Sequence, residues 1–139
     1  EITAGMAVFG LILGILIPRI TSVWWPEAPQ SFSFARMAGY SLIVIWDIVV
    51  ANVQVAMIIL FKPEPSIRSH WIPIPLELTS PEAITVLAGT ITMTPGTLTA
   101  DISACGRALL VHCLDTDDPD AVRDEIKQRY ERRLKEIFE

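Results

Sequence analysis

The run of 22 residues from Tyr40 to Phe61, YSLIVIWDIVVANVQVAMIILF, constrains this chain more than any other feature. A helix of that length rises about 33 Å, enough to cross a hydrocarbon core of about 30 Å. Its strongly polar residues are Asp47, Asn52 and Gln54, and Lys62-Pro63 closes it with a charge and a helix stop. The sequence therefore predicts a membrane protein.

Charge divides the chain. Residues 1–61 carry only Glu1, Arg19, Glu27, Arg36 and Asp47, whereas the rest holds nine Lys/Arg and thirteen Asp/Glu. The predicted organisation is a membrane part over 1–61, a linker over 62–71 and a small soluble domain over 72–139. A net charge of −5 without a basic face argues against nucleic acid as a partner.

Ile2 to Ile17 is apolar or small throughout before the Pro18-Arg19 stop, giving a second predicted transmembrane helix of about 24 Å. No basic segment or cleavage site marks it as a signal peptide, and a chain that begins so abruptly predicts one more helix ahead of residue 1. Gly10 and Gly14 form a GxxxG pair, a candidate helix-packing face. From Thr21 to Gly39, Trp24, Trp25, Phe32 and Phe34 with Pro26 and Pro29 read as an interfacial connector. Basic residues are too evenly spread to set orientation.

Along the central helix Tyr40, Asp47, Gln54 and Phe61 recur every seven residues and share one face, while Asn52 points about 140° from Asp47. A carboxylate facing lipid at helix centre costs about 2.5 to 3.5 kcal/mol, so Asp47 must face protein or water. Three roles are open to it: ion or proton ligand, lining a cation route with Gln54, or pairing with a basic or hydroxyl group of a neighbouring subunit.

The soluble half reads strand, helix, strand, strand, helix. Ile72, Ile74, Leu76 and Leu78 alternate with Pro73, Pro75 and Glu77, a strand whose prolines place it at an edge. Ser80-Pro81 caps a helix running to about Thr92. Thr94-Pro95-Gly96 is a turn, and Leu98, Ala100 and Ile102 then alternate with Thr97, Thr99, Asp101 and Ser103, predicting a strand with its aliphatic side inward. Arg107 to Leu114 reads as a central strand. Asp118-Pro119 opens a last helix that buries Val122, Ile126, Tyr130, Leu134 and Ile137. The expected fold class is a membrane α-helical segment joined to a small α+β domain of order βαββα, with helices on one face.

Little in the chain points to catalysis. His112 and Cys113 are adjacent on a strand and so point to opposite faces, and with only His70 and Cys105 besides, no four-ligand set is available. Asp115, Asp117, Asp118 and Asp120 lack the glycine and terminal glutamate of a calcium loop. No phosphate-cradling loop or nucleophile elbow is present, and no cofactor is expected. Two cysteines predict reduced, partly buried thiols, which favours the cytoplasm for this half.

The segment SPEAITVLAGTITMTPGTLTAD from Ser80, followed by LLVHCLDTDDP and IKQRYERRLKEIF, resembles the E subunit of the Mrp-type multisubunit Na+/H+ antiporters. ANVQVAMIIL with Lys62-Pro63 is similar to that subunit's last transmembrane helix. The resemblance implies an accessory component of a hetero-oligomeric complex that exchanges Na+ for H+ across a bacterial plasma membrane, with the soluble half cytoplasmic. It also implies that the antiport machinery resides in larger sister subunits, the expected partners alongside lipid. A membrane-anchored binding module acting outside any antiporter is the competing expectation.

Overall fold

The computed structural model describes residues 3–22 and 32–139. Helix α1, Ala4–Thr21, opens with Thr3, whose hydroxyl accepts a hydrogen bond from the Met6 N–H at 3.4 Å. Helix α2, Phe34–Phe61, opens in the same way at Ser33, so it begins ahead of Tyr40. The second half of the expected connector is therefore helical from Phe34, while Trp24, Trp25, Pro26 and Pro29 lie outside the described residues. Among the described helices α2 alone is long and apolar enough to cross a membrane, and the apolar segment of α1 is shorter.

Strand β1, His70–Pro75, takes in His70 and Trp71, which the sequence pattern leaves in the linker. Helix α3 spans Pro81–Met93, with the Ser80 hydroxyl accepting from the Ala83 N–H and Pro81 filling the first turn, where its missing N–H costs nothing. Strands β2, Thr97–Ile102, and β3, Ala108–Cys113, complete an antiparallel sheet of order β1-β3-β2. Gly96 at φ +93° and Gly106 at φ +69° supply the left-handed positions for the turns on either side of β2.

Strand β2 faces the opposite way from the expected one over its first half. Thr97 and Thr99 turn inward, and Leu98 is exposed. The cause lies in α3, where the Ile91 carbonyl in the unpaired last turn and the Ala88 carbonyl one turn earlier, which already accepts the Thr92 hydroxyl, both take a threonine hydroxyl of β2. The Thr97 hydroxyl donates to the Ile91 carbonyl at 2.7 Å, and the Thr99 hydroxyl to the Ala88 carbonyl at 3.1 Å. An irregularity between Thr99 and Asp101 then shifts the register, so that Ile102 pairs with Leu109, and Ala100 and Ile102 are also exposed.

The C-terminal helix starts at Asp118, whose carboxylate accepts from the Asp120 and Ala121 N–H groups, both at 3.1 Å. It runs as α4, Pro119–Ile126, a π-helical turn, Lys127–Glu131, and α5, Arg132–Phe138. Core residues four apart drift by about 40° per step around an α-helix. The wider π turn absorbs one residue and keeps Ile126, Tyr130 and Leu134 on the buried side.

One hydrophobic core joins these elements. Ile74, Leu87, Ile91, Leu109, Val111, Leu134 and Ile137 are at most 2 % exposed, and Tyr40 and Val44 of α2 belong to the same cluster. The inner side of the sheet, α3 and the C-terminal helix thus share their core with one side of α2.

Candidate functional site

The buried side of α2 carries Tyr40, Val44, Asp47 and Ala51, at helical spacings of four, three and four. Asp47 is only 9 % exposed. Its carboxylate is held by two consecutive residues of the π turn. The Arg129 guanidinium approaches in a fork, Nη2 to Oδ1 at 2.5 Å and Nε to Oδ2 at 2.7 Å. The Tyr130 hydroxyl donates to Oδ2 at 2.9 Å. A bidentate, charge-assisted pair with a further donor satisfies a carboxylate that could not stay buried unpaired.

The electrostatics on the π turn follow. The bond to Asp47 pushes the Arg129 guanidinium further up from its already high value, keeping it charged. Burial raises the Tyr130 hydroxyl well above its ordinary value, and its bond to Asp47 raises it further, because the carboxylate accepts only from the protonated phenol. In this arrangement Asp47 and Arg129 form an ion pair to which Tyr130 donates as the neutral phenol.

Two flanking contacts fix the same helix. Tyr40 and Thr90 share a hydrogen bond of 2.7 Å between buried hydroxyls. At the far end Lys62 pairs with Asp115, which also accepts the Arg68 N–H at 2.9 Å. That backbone bond, then the Lys62 bond, holds the Asp115 carboxyl below the usual range. Glu131, next to Tyr130, reaches the other way, accepting the Glu77 N–H at 2.6 Å and the Leu78 N–H at 3.3 Å. Three consecutive residues of the π turn thus bind two separate parts of the chain.

Beside the pair lies a cleft of about 280 Å³ lined by Asp47, Gln54, Thr94, Asp115, Glu125 and Tyr130 among others. Gln54 lines this cleft, whereas Asn52 is exposed and donates to the Ile48 carbonyl of its own helix at 2.8 Å. No cluster of three or more metal-ligating side chains occurs among the described residues. Gly10 and Gly14 are open, with nothing within 4 Å of a Cβ built on either. The His112 ring packs against Trp71 at a tilt of 57°, with ring centroids 4.8 Å apart, while the Cys113 thiol is buried and directed to the Asp115 carbonyl. The residues that sequence reasoning missed are Arg129 and Tyr130. Tyr130 reads there as core, Arg129 as surface charge, and nothing local ties either to Asp47.

Comparison with known proteins places the chain. Residues 1–137 match the family described as MNHE, Na+/H+ ion antiporter subunit. A probable E subunit of a K+/H+ antiporter from Rhizobium meliloti is 32% identical over 139 residues, covering 100% of this chain and 86% of that protein. The E subunit of the Na+/H+ antiporter from Bacillus subtilis is 35% identical over 128 residues, covering 92% and 80%. Among solved structures, the Mrp complex from Dietzia contains a chain with TM-score 0.56 and 27% identity, covering 73% of this chain and 96% of that one. An archaeal membrane-bound sulfane sulfur reductase contains another, with TM-score 0.70 and 25% identity, covering 98% and 89%. The chain belongs to the Na+/H+ antiporter subunit family, as an E subunit of the Mrp type.

Proposed function

We propose that this chain is an accessory, non-catalytic subunit that braces a monovalent cation/proton antiporter and does not itself conduct the ion. The observation that carries the reading is the occupancy of Asp47: both carboxylate oxygens are taken by Arg129 and Tyr130 of the same chain. A carboxylate so held is a poor ligand for a passing cation, since any cation would first have to displace the guanidinium. Helix α1, apolar from Gly5 to Pro18, enters the membrane, and the domain carrying the sheet lies at the cytoplasmic face. Sodium and protons are the expected ions of the complex. The relatives name different cations, K+ in one and Na+ in another, which fits selectivity set by sister subunits.

The test replaces charge while keeping shape. Asp47→Asn leaves the partly exposed Arg129 guanidinium without its carboxylate, and Asp47→Asn with Arg129→Gln removes both charges. In everted vesicles, the bracing role predicts that the single variant lowers the amount of assembled complex and that the double variant restores it. Exchange per assembled complex should stay within about twofold, well under one tenfold step in barrier. A second reading is favoured by the acidic lining of the cleft, Asp115 and Glu125 beside Gln54: a cation route. It requires the opposite result, full assembly with exchange lost in both variants.

A further inference from the structure

We infer that α2 does not cross the bilayer but lies in its cytoplasmic interface, with the soluble domain seated on its watery side and lipid on the other. The inference rests on the membrane attachment proposed above and on α2 staying docked to the domain.

The contacts of α2 with the domain run the whole length of the helix. Arg36 donates to the Glu136 carbonyl at 2.6 Å, Tyr40 bonds Thr90, Asp47 bonds Arg129, and Lys62 pairs with Asp115. Between the last two, a Val55 methyl carbon lies 3.1 Å from where a Cβ on Gly96 would stand. From residue 36 to 62 the helix rises about 39 Å, more than the thickness of the hydrocarbon core. Anything bound along that length shares the depth of α2. The domain carries side chains that need water, among them Arg132, Glu136, Arg68, Asp117 and Asp120, each with at least 55% of its side-chain surface exposed. A perpendicular α2 would draw such charges into hydrocarbon, where each is strongly disfavoured. Turned into the plane, the same contacts leave every one of them in water.

The opposite side of α2 suits lipid. Leu42, Trp46, Val49, Val53, Met57 and Leu60 are between 53% and 72% exposed and, with Ile45 and Ile59, spread over an arc of about 160° of the helix on the side away from Asp47. Asn52, which lies inside this arc, spends its amide on the Ile48 carbonyl of its own helix. Trp46 is an independent sign. Halfway along a spanning helix it would sit near the bilayer centre, whereas tryptophan favours the headgroup level, where an in-plane helix keeps it. Of the two helices expected to span, α1 is therefore the one that enters the membrane.

The experiment measures depth. In a Cys105→Ser, Cys113→Ala background, nitroxides are placed by Leu42→Cys, Val49→Cys, Val53→Cys and Leu60→Cys, all on the same side. The whole complex is reconstituted in vesicles of phosphatidylethanolamine and phosphatidylglycerol, and collision with oxygen and with a water-soluble nickel chelate is read at each site. The inference predicts one shared depth, roughly 5 to 10 Å below the headgroups. A depth that advances by about 27 Å from residue 42 to residue 60 would overturn it. So would four labels shielded from both reagents, which would mean that a sister protein of the complex covers this side. A second pair of labels, at Val53 and Gln128, reports docking in the same vesicles. Graded depth with the docked distance kept sinks the in-plane geometry alone; loss of that distance sinks the docking of α2 on which both proposals rest.

Discussion

Tyr40 and Thr90, fifty residues apart, bury their hydroxyls against each other and make one hydrogen bond of 2.7 Å. Each is 4 % exposed, so neither can turn to water if its partner is lost. Removing one hydroxyl should cost about 1 to 3 kcal/mol, and removing both should cost less than the sum. Tyr40→Phe, Thr90→Val and the double variant, compared by thermal denaturation of the full chain in mild detergent, measure this. Additive effects would mean that the bond couples nothing.

Strand β2 presents Thr97 and Thr99 to α3 and Leu98 to the outside. Leu98→Ser should therefore change the chain's stability by no more than about 0.5 kcal/mol, as expected of an exposed site. Thr97→Val should cost about 1 kcal/mol, because two carbonyls that accept its hydroxyl, those of Ile91 and Thr94, lose a donor. A loss of several kcal/mol for Leu98→Ser would place the leucine inside after all.

The two thiols differ in environment. Cys105 is exposed, and its hydrogen bond with Ser103 holds its thiol below the ordinary value. Cys113 is buried, and burial pushes its thiol up. Since the thiolate is the reacting form, maleimide or iodoacetamide at neutral pH should modify Cys105 in the native protein and reach Cys113 only after denaturation. Mass spectrometry of the peptides gives the order directly, and equal labelling rates would contradict the burial of Cys113.

Glu139 clamps the start of α3, accepting from the Thr79 N–H at 2.6 Å and from the Thr79 hydroxyl and Ser80 N–H, both at 3.0 Å. Burial would raise its carboxyl, but these donors outweigh it and hold the group below its ordinary value. A folded value below the unfolded one contributes stability at neutral pH that is lost as pH falls below about 4. Glu139→Gln should therefore be less stable than the parent at pH 7, and the gap should close on acidification through that range. A gap independent of pH would remove the charge from the account.

The parts of this fold that could be read from the sequence are those specified locally. Ser80-Pro81 and Asp118-Pro119 each put a side-chain acceptor and a proline at the head of a helix, and both helices start there. The side that β2 turns inward was not legible, because its alternation offers an aliphatic row and a threonine row. The choice was made by the carbonyls of α3, which no pattern within β2 reveals. Asp47 announced that it needed a partner. It could not announce which, since Arg129 and Tyr130 reach it only through the tertiary arrangement, and Arg129 looks like any other charge on an acidic-basic helix. The packing of α2 on the domain was hidden for the same reason, because a side that buries Tyr40, Val44 and Ala51 against protein is as apolar as one that faces lipid.

The separation of Asp47 from Arg129, 82 positions, also sets a delay. At about 5 to 20 residues per second, a ribosome needs roughly 4 to 16 s to make the guanidinium after the carboxylate. For those seconds α2 is complete while its charge is unanswered. Whatever surrounds the newborn helix must tolerate a bare carboxylate, and water does so where hydrocarbon does not. The order of synthesis thus favours keeping α2 at the water's edge until the C-terminal helix arrives to claim it.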